Sequence, residues 1–165
     1  MEEKIFEYPN INETAFSINL LGLNLNVQWY GLSYIAGILL AWFFMAKLVK
    51  NKDLWFAGHS IIERSEVDDL ITYMILGIII GGRLGYCLFY TPGYYFENPI
   101  RIIYVWEGGM SFHGGFLGVI ISGALFGVRN KINLLSLGDL IAFASPPGLF
   151  FGRIANFING ELWGK

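Results

Sequence analysis

Two long stretches without a charged residue constrain this chain more than any other feature of its sequence. Neither Thr14–Ala46 nor Gly108–Val128 contains Asp, Glu, Lys or Arg. A helix crosses the hydrocarbon core of a bilayer with about 20 apolar residues, and both stretches are long enough to do so. Because 55% of its 165 residues are hydrophobic, the chain is too apolar for an ordinary soluble domain, and we predict a membrane protein.

The composition also excludes several other classes of protein. Disordered, collagenous, coiled-coil and disulfide-stabilised chains all have compositions unlike this one. A formal net charge of −2 provides no basic surface for nucleic acid, and the single cysteine, Cys87, cannot form an internal disulfide. The first ten residues are mostly acidic where charged, whereas a secretory signal begins with a basic region, so we expect no cleaved signal.

Hydrophobic segments of spanning length predict an all-α, polytopic helical membrane protein with about four transmembrane helices. The predicted spans are residues 29–49, 67–90, 109–128 and 136–158, and residues 1–28 form an external N-terminal segment of a single membrane domain, 1–165. Ser65 and Ser136, each followed by an acid three residues later, are predicted to cap the second and fourth helices. Pro146-Pro147 removes two backbone donors, so we expect a break or kink in the fourth span, beside a cavity.

The distribution of basic residues predicts the orientation of these spans. Six basic residues follow the first and third spans, whereas only Lys4 and Arg101 lie on the opposite side. Basic residues accumulate in cytoplasmic loops, so the N-terminus is predicted to lie outside. The six residues are Lys47, Lys50, Lys52, Arg64, Arg129 and Lys131.

Arg83 and Arg153 lie inside the second and fourth predicted spans, where a charge is costly unless it pairs or faces a polar cavity. Both come late in spans that run outwards from the cytoplasm, so both are predicted to lie towards the outer leaflet. Glycines at four-residue spacing in the second and third spans predict close packing of these helices. Other polar residues predicted at the level of the arginines are Tyr30, Glu107, Ser111, His113, Asn156, Asn159 and Glu161.

Four local motifs carry a family resemblance. They are Trp29-Tyr30-Gly31-Leu32, Gly81-Gly82-Arg83-Leu84-Gly85-Tyr86, WEGGMSFHGG from Trp106 to Gly115, and GRIANFINGELWG from Gly152 to Gly164. Together they resemble the bacterial prolipoprotein diacylglyceryl transferases, from about Val27 to Lys165. Ala155 stands where the signature of that family usually has Gly. Members of the family continue through further spans that supply another arginine and acid, so the chain resembles the N-terminal portion of such an enzyme.

The resemblance implies a transferase that acts in the bacterial inner membrane, with its site towards the outer leaflet. It would transfer the diacylglyceryl group of phosphatidylglycerol to the lipobox cysteine thiol of a preprolipoprotein, the first step of lipoprotein maturation. The implied partners are phosphatidylglycerol, the preprolipoprotein signal peptide with its lipobox cysteine, and membrane lipids, without nucleic acid, metal or other cofactor. The resemblance does not decide whether the 165-residue chain is active by itself.

The same motifs imply which residues form the site. The implied catalytic residues are His113, Arg153 and Glu161, and the implied substrate-binding residues are Tyr30, Arg83, Arg153, Asn156, Asn159 and Gly164. These residue types suit the reaction, because arginine presents a planar fork to a phosphate leaving group. A thiol with a free pKa of about 8.5 also needs a base or a positive charge to become the thiolate. His113 would serve as that base or as a hydrogen-bond donor to substrate.

Structural roles remain open for the same residues. Arg153 could pair with Glu161 or with carbonyls at the helix end, Arg83 could be a structural partner that shapes the cavity, and Tyr30 could belong to an aromatic belt. Two other functions also remain open. The buried arginines and the broken fourth span could serve an anion transporter or channel, or the chain could be a non-catalytic membrane subunit.

Overall fold

The computed structural model describes residues 11–20, 23–55 and 58–161. In this part of the chain, two strands precede six helices. They are β1 (Thr14–Leu20), β2 (Leu23–Gln28), α1 (Trp29–Lys50), α2 (Arg64–Phe89), α3 (Pro92–Glu97), α4 (Phe112–Arg129), α5 (Leu134–Ala144) and α6 (Pro146–Ile158). Short 3-10 turns form at Lys52–Leu54, Pro99–Ile103 and Val105–Glu107.

Four helical stretches among the described residues are long and apolar enough to cross a bilayer. They are Trp29–Lys50, Arg64–Phe89, Phe112–Arg129 and Leu134–Ile158, the last of which comprises α5 and α6. Each overlaps one of the predicted spans, so the prediction of a polytopic helical membrane protein is confirmed.

The pair of strands before α1 was not predicted. β1 and β2 are antiparallel, with Ser17 opposite Asn26, and the Ser17 hydroxyl donates to Asn26 Oδ1 at 2.8 Å. The sequence alternates apolar and polar residues from Phe16 to Asn19, which is the period of a strand. The Trp29 N–H donates to the Glu13 carbonyl at 3.2 Å, so α1 begins directly where the strand pair ends.

The chain divides into two compact units, Met1–Phe44 with Ala142–Lys165, and Met45–Ile141. In the second unit, α2 and α4 approach each other along their glycines. A Cβ atom added to Gly85 would lie 2.8 Å from Gly114 Cα, and one added to Gly77 would lie 2.9 Å from the Gly118 carbonyl carbon. The predicted glycine seam therefore brings the two backbones into direct contact. The largest fully buried side chains of this second unit are Phe126, Leu70, Leu137 and Val67.

In the first unit, α1 and α6 also meet through glycines. A Cβ atom added to Gly37 would lie 2.7 Å from Gly148 Cα. The fourth span is interrupted before this crossing, since α5 ends at Ala144 and α6 begins at Pro146. The break predicted from Pro146-Pro147 is therefore confirmed. Both prolines occupy the first turn of α6, where a missing N–H removes no hydrogen bond within the helix.

The starts of α2 and α5 lie earlier than predicted, and their caps are different residues. Glu63 caps α2 in a reciprocal capping box with Glu66, whose Oε2 accepts from the Glu63 N–H at 2.6 Å. Asn133 Oδ1 accepts from the Leu135 and Ser136 N–H groups at 3.0 and 3.1 Å. Ser65 and Ser136 therefore lie inside the first turn of their helices, and the prediction that they act as caps is wrong. Both residues of this capping box carry a carboxylate. Their negative charges interact favourably with the positive N-terminal end of the helix dipole, as was expected of the predicted acids.

Candidate functional site

The first candidate site lies where the start of α1 meets the end of α6, inside one compact unit. Tyr30, in the first turn of α1, contacts Asn156 and Glu161. Its hydroxyl lies 2.9 Å from Glu161 Oε2 and forms a short hydrogen bond with the Asn156 side chain. We call these three residues the Tyr30 cluster. The structure thus brings together three of the residues predicted from the sequence.

The hydrogen bonds of the Tyr30 cluster must be shared between two partners. A phenol carries one hydrogen, so it can donate to only one oxygen at a time, while its own oxygen can accept another bond. The structure places the phenol oxygen beside two acceptors, Asn156 Oδ1 and Glu161 Oε2, so the single hydroxyl hydrogen is shared between these two side chains. In this arrangement Tyr30 fixes the orientation of both side chains.

The end of α6 explains why Glu161 reaches Tyr30. The Gly160 N–H donates to the Phe157 carbonyl at 3.2 Å, and the Glu161 N–H donates to the Asn156 carbonyl at 2.8 Å. These two bonds form a Schellman motif, which ends a helix through a residue in the left-handed conformation. Gly160 has a φ of +66°, which glycine adopts at no steric cost. The chain therefore folds back over the last turn of α6 and presents Glu161 beside Asn156.

Arg153 lies on the same helix, three residues before Asn156, and residues three apart share a helix face. Its charge interacts electrostatically with the Tyr30 hydroxyl. The Arg153 side chain is exposed, and it forms no hydrogen bond or ion pair with another described residue. The alternative in which Arg153 is neutralised by Glu161 therefore finds no support in the described part of the chain.

Asn159 closes α6 as its C-cap residue. Its Oδ1 atom is buried and has no hydrogen-bond partner within the described ranges. A buried acceptor without a donor is unfavourable, so this oxygen is available to a donor from outside those ranges. Gly164, the remaining predicted residue at this end of the chain, lies outside the described residues.

Arg83 lies in the other compact unit and is only 3% exposed. Its Nε donates to the Ile102 carbonyl at 2.9 Å and its Nη2 donates to the Arg101 carbonyl at 2.7 Å. Its Nη1 donates to the Gly108 carbonyl and, at 3.4 Å, to the Gly109 carbonyl. Four main-chain oxygens thus surround the guanidinium. All four belong to the connection between α2 and α4, residues 90–111, which we call the α2–α4 connection.

The α2–α4 connection leads directly to His113. The Ser111 N–H donates to the Gly82 carbonyl at 2.9 Å, and Ser111 Oγ caps α4 by accepting from the Gly114 N–H at 3.2 Å. His113 follows in the first turn of α4, as predicted, and its side chain is exposed. The ring of Phe112 meets the His113 ring edge to face, with centroids 5.8 Å apart. His113 therefore lies two residues after the Ser111 contact with α2.

Glu107 is paired within the same connection. Its carboxylate lies 2.7 Å from Arg101 Nη1, and this hydrogen bond raises the pKa of Arg101. Two contributors to the local geometry were missed in the sequence. The first is the Gly108-Gly109 pair, whose φ values of +82° and +80° turn the chain towards Arg83. The second is Gly160, and in both cases the signal was a glycine beside a predicted site residue.

Comparisons with known proteins agree with these features. The model of the prolipoprotein diacylglyceryl transferase family matches residues 16–165. The chain belongs to this family. The Tyr30 cluster, Arg153, Arg83 and His113 all lie within the matched range, and the resemblance predicted from four motifs is confirmed.

Individual family members show how much of a transferase the chain represents. It is 49% identical to the phosphatidylglycerol–prolipoprotein diacylglyceryl transferase of Roseobacter denitrificans over 158 residues, which are 96% of this chain and 54% of that protein. The transferase of the same name from Ruegeria pomeroyi is 47% identical over 163 residues, 99% of this chain and 55% of that protein. For Rhizobium meliloti the identity is 48% over 161 residues, 98% and 56% respectively. The chain thus spans about half the length of these relatives.

Proposed function

We propose that this chain forms the N-terminal portion of an enzyme that transfers the diacylglyceryl group of phosphatidylglycerol to the lipobox cysteine thiol of preprolipoproteins. The observation that carries the proposal is the Tyr30 cluster beside Arg153, whose fork has no acid partner among the described residues, at the end of a membrane-spanning helix. Relatives that share this range are named for that activity. No contact in the described residues favours an anion channel.

The reaction exchanges one bond for another at a glyceryl carbon. The thiolate sulfur attacks the carbon that bears the phosphate, a C–S bond forms and the C–O bond breaks. Glycerol phosphate leaves with the electron pair of the C–O bond, and the thiol proton passes to a base. The chemistry therefore requires a cationic group at the phosphate and a proton acceptor at the thiol.

Arg153 is the residue proposed for the phosphate. Its guanidinium is exposed and not committed to a described acid, and its planar fork can donate two parallel hydrogen bonds to phosphate oxygens. Charge grows on the leaving phosphate as the C–O bond breaks, so a fixed cation stabilises the transition state more than the ground state. Asn159 and Asn156, on the same helix end, would orient the polar head group.

His113 and Glu161 are the residues proposed for proton transfer. Histidine titrates near neutral pH in its ordinary state and suits a general base. Glu161 is held by the Tyr30 hydroxyl and could accept a proton in its place. Gly164 completes the substrate-binding set predicted from the family motifs, whereas Arg83, predicted in the same set, is bonded to four main-chain carbonyls.

The order of the spans supports a proposed location for the site. If the four stretches cross the membrane in turn, the start of α1, the end of α2, the start of α4 and the end of α6 share one face. The basic residues after α1 and α4 favour the cytoplasm for the opposite face. We therefore propose an N-terminus outside the inner membrane and a site towards the outer leaflet. Cysteines placed at Asn51 and Asn130 should react only from the cytoplasmic side, and labelling from the outside in intact cells would reverse this orientation.

The activity is tested with the full-length protein in lipid vesicles that contain phosphatidylglycerol. Its expected activity is transfer of a labelled diacylglyceryl group to the cysteine of a lipobox peptide, and a peptide with Ser in place of that Cys should stay unlabelled. Arg153→Ala should abolish most of the transfer, whereas Arg129→Ala, at the opposite end of a span, serves as the matched control. A membrane-inserted protein that labels neither peptide would contradict the proposal.

A further inference from the structure

Arg83 differs from an arginine that could bind a ligand, because most of its hydrogen-bonding capacity is already used. A guanidinium has five N–H donors, and four bonds run from Arg83 to the carbonyls of Arg101, Ile102, Gly108 and Gly109. The side chain is 3% exposed. The aromatic ring of Tyr95 covers it further, with the ring centroid 5.3 Å from Cζ. The guanidinium therefore has few free N–H donors and little accessible surface with which to bind a phosphate.

The four carbonyls come from two separate turns of the α2–α4 connection. Arg101 and Ile102 lie in the 3-10 turn Pro99–Ile103, and the Arg101 carbonyl also accepts from the Tyr104 N–H at 3.2 Å. Gly108 and Gly109 both have positive φ values, a backbone conformation that directs their carbonyls to the same guanidinium. Arg83 thus joins the two turns to each other and fastens both to α2.

The second of these turns determines where α4 begins. Gly109 lies against the Tyr86 ring, since a Cβ added there would come within 2.6 Å of Tyr86 Cδ1. Two residues later, Ser111 is bonded to the Gly82 carbonyl and caps α4. His113 follows in the first turn of α4. A shift of the Gly108-Gly109 turn would therefore displace the start of α4 and the imidazole with it.

We propose that Arg83 is a positioning residue: it holds the α2–α4 connection against α2 and thereby sets the position of His113, without binding the lipid phosphate. This inference rests on the proposed function only for the role of His113 in transfer. The arrangement of the connection itself is a separate, measurable property.

Two substitutions separate positioning from phosphate binding. Arg83→Lys keeps the positive charge, but an ammonium group lacks the planar fork and cannot reach carbonyls in two turns at once. Arg83→Gln removes the charge and keeps a donor. If Arg83 positions the connection, the two variants should be similarly impaired. If Arg83 binds phosphate, Lys should be clearly better than Gln, and the KM for phosphatidylglycerol should rise.

The first measurement is amide hydrogen exchange across residues 101–113 of the full-length protein in phosphatidylglycerol nanodiscs. Loss of buried, charge-assisted hydrogen bonds should speed exchange in this segment by about tenfold or more in both variants. Exchange in α6 should stay unchanged. Arg101→Gln is the matched control, because its side chain is exposed and only its main-chain carbonyl contacts Arg83. Wild-type exchange in both Arg83 variants would overturn the proposal.

The second measurement is steady-state transfer to a lipobox peptide. Positioning predicts a lower kcat at a nearly constant KM for phosphatidylglycerol, because the lipid contacts of Arg153 persist. Faster exchange with normal kcat would show that the connection does not position the site, and it would also overturn the proposal. A wild-type enzyme without any transfer activity would refute the proposed function, while the exchange result would still decide the role of Arg83.

A third variant tests the proposal even if the Arg83 variants fail to fold. Gly109→Ala leaves the charge in place but strains the turn, because φ is +80° and the Tyr86 ring fills the space. It should reproduce the faster exchange and lower kcat of Arg83→Lys, and the double variant should be little worse than either single one, since both act on one turn. Fully additive effects in this cycle would contradict the proposal.

Discussion

Arg83 and Arg153 occupy similar sequence contexts, Gly-Arg-Leu-Gly and Gly-Arg-Ile-Ala, late in two membrane-spanning helices. In the structure their surroundings are opposite. Arg83 is 3% exposed and bonded to four main-chain carbonyls, whereas Arg153 is exposed beside the Tyr30 cluster. The role of an arginine in a span therefore depends on whether a turn of the chain supplies carbonyls to it. Its depth and its neighbours in sequence do not decide this.

The largest effect that would separate the two regions is expected at Arg153. Arg153→Ala in the full-length enzyme should lower kcat/KM about 10²- to 10³-fold, or roughly 3 to 4 kcal/mol of transition-state stabilisation. Hydrogen exchange around α2 and α4 should stay unchanged. Arg153→Lys should recover only part of the activity because the planar fork is lost. Near-normal turnover at wild-type protein level would show that Arg153 takes no part in the reaction. The functional contrast between Arg153 and Arg83 would then be wrong as well.

The next largest effect is expected at His113, because Arg83 is proposed to affect the reaction by positioning this residue. If His113 is the base, His113→Gln should lower kcat about 10²-fold near neutral pH. The loss should shrink as the pH approaches the free thiol pKa of about 8.5, because solvent then supplies the thiolate. The measurement is a pH–rate profile of both enzymes at saturating phosphatidylglycerol. A constant ratio between the rates of the two enzymes across the profile would show that His113 acts only through hydrogen bonding. Glu161 would then be the candidate for the base.

A smaller effect is expected at Gly160, which ends α6 and returns Glu161 to Tyr30. Gly160→Ala places a side chain at a φ of +66° and should lower the free energy of unfolding by about 1 kcal/mol. Gly138→Ala is a suitable control, since Gly138 lies inside α5 and a Cβ atom added to it would meet open space. That substitution should be neutral or stabilising. Thermal unfolding in detergent compares the two, and equal midpoints would mean that the Schellman motif does not hold the cluster.

The smallest effect is expected at Arg101, whose pair with Glu107 is exposed on both sides. Exposed ion pairs contribute little to stability. Arg101→Gln should therefore leave the unfolding midpoint and kcat within error of the wild type. Arg83→Gln, in the α2 residue that contacts the same connection, should not. A large loss in Arg101→Gln would show that the side chains of the connection, and not Arg83 alone, keep it in place.

The spans and the break in the fourth one were predictable because they depend on composition over many residues. A charge-free length sets a membrane helix, and two adjacent prolines remove backbone donors wherever they occur. The strand pair before α1 was missed because the same absence of charge was interpreted as apolar length, although Phe16 to Asn19 alternates with the period of a strand. The helix caps were misplaced by two or three residues because Asn133 can cap as well as a serine can, and because Glu63 caps α2 only through its reciprocal pair with Glu66.

The candidate site was predicted in composition but not in arrangement. The motifs identified Tyr30, Asn156 and Glu161, yet no local pattern shows that a residue in α1 meets two at the end of α6. The environment of Arg83 was harder still to predict, because its partners are main-chain carbonyls that lie 18 to 26 residues away. Every residue has such a carbonyl, so side-chain identity carries no signal for this contact.

The contact between Tyr30 and Glu161 has a consequence for the order in which the protein is made. The two residues are separated by 131 positions, so Tyr30 leaves the ribosome well before its partner. At about 5 to 20 residues per second, the delay is roughly 7 to 26 seconds. During that time the phenol must be solvated without its carboxylate, which the wet interface allows and the hydrocarbon core does not. The first turn of α1 is therefore a place where a nascent membrane protein can hold half of a polar site until the other half is synthesised.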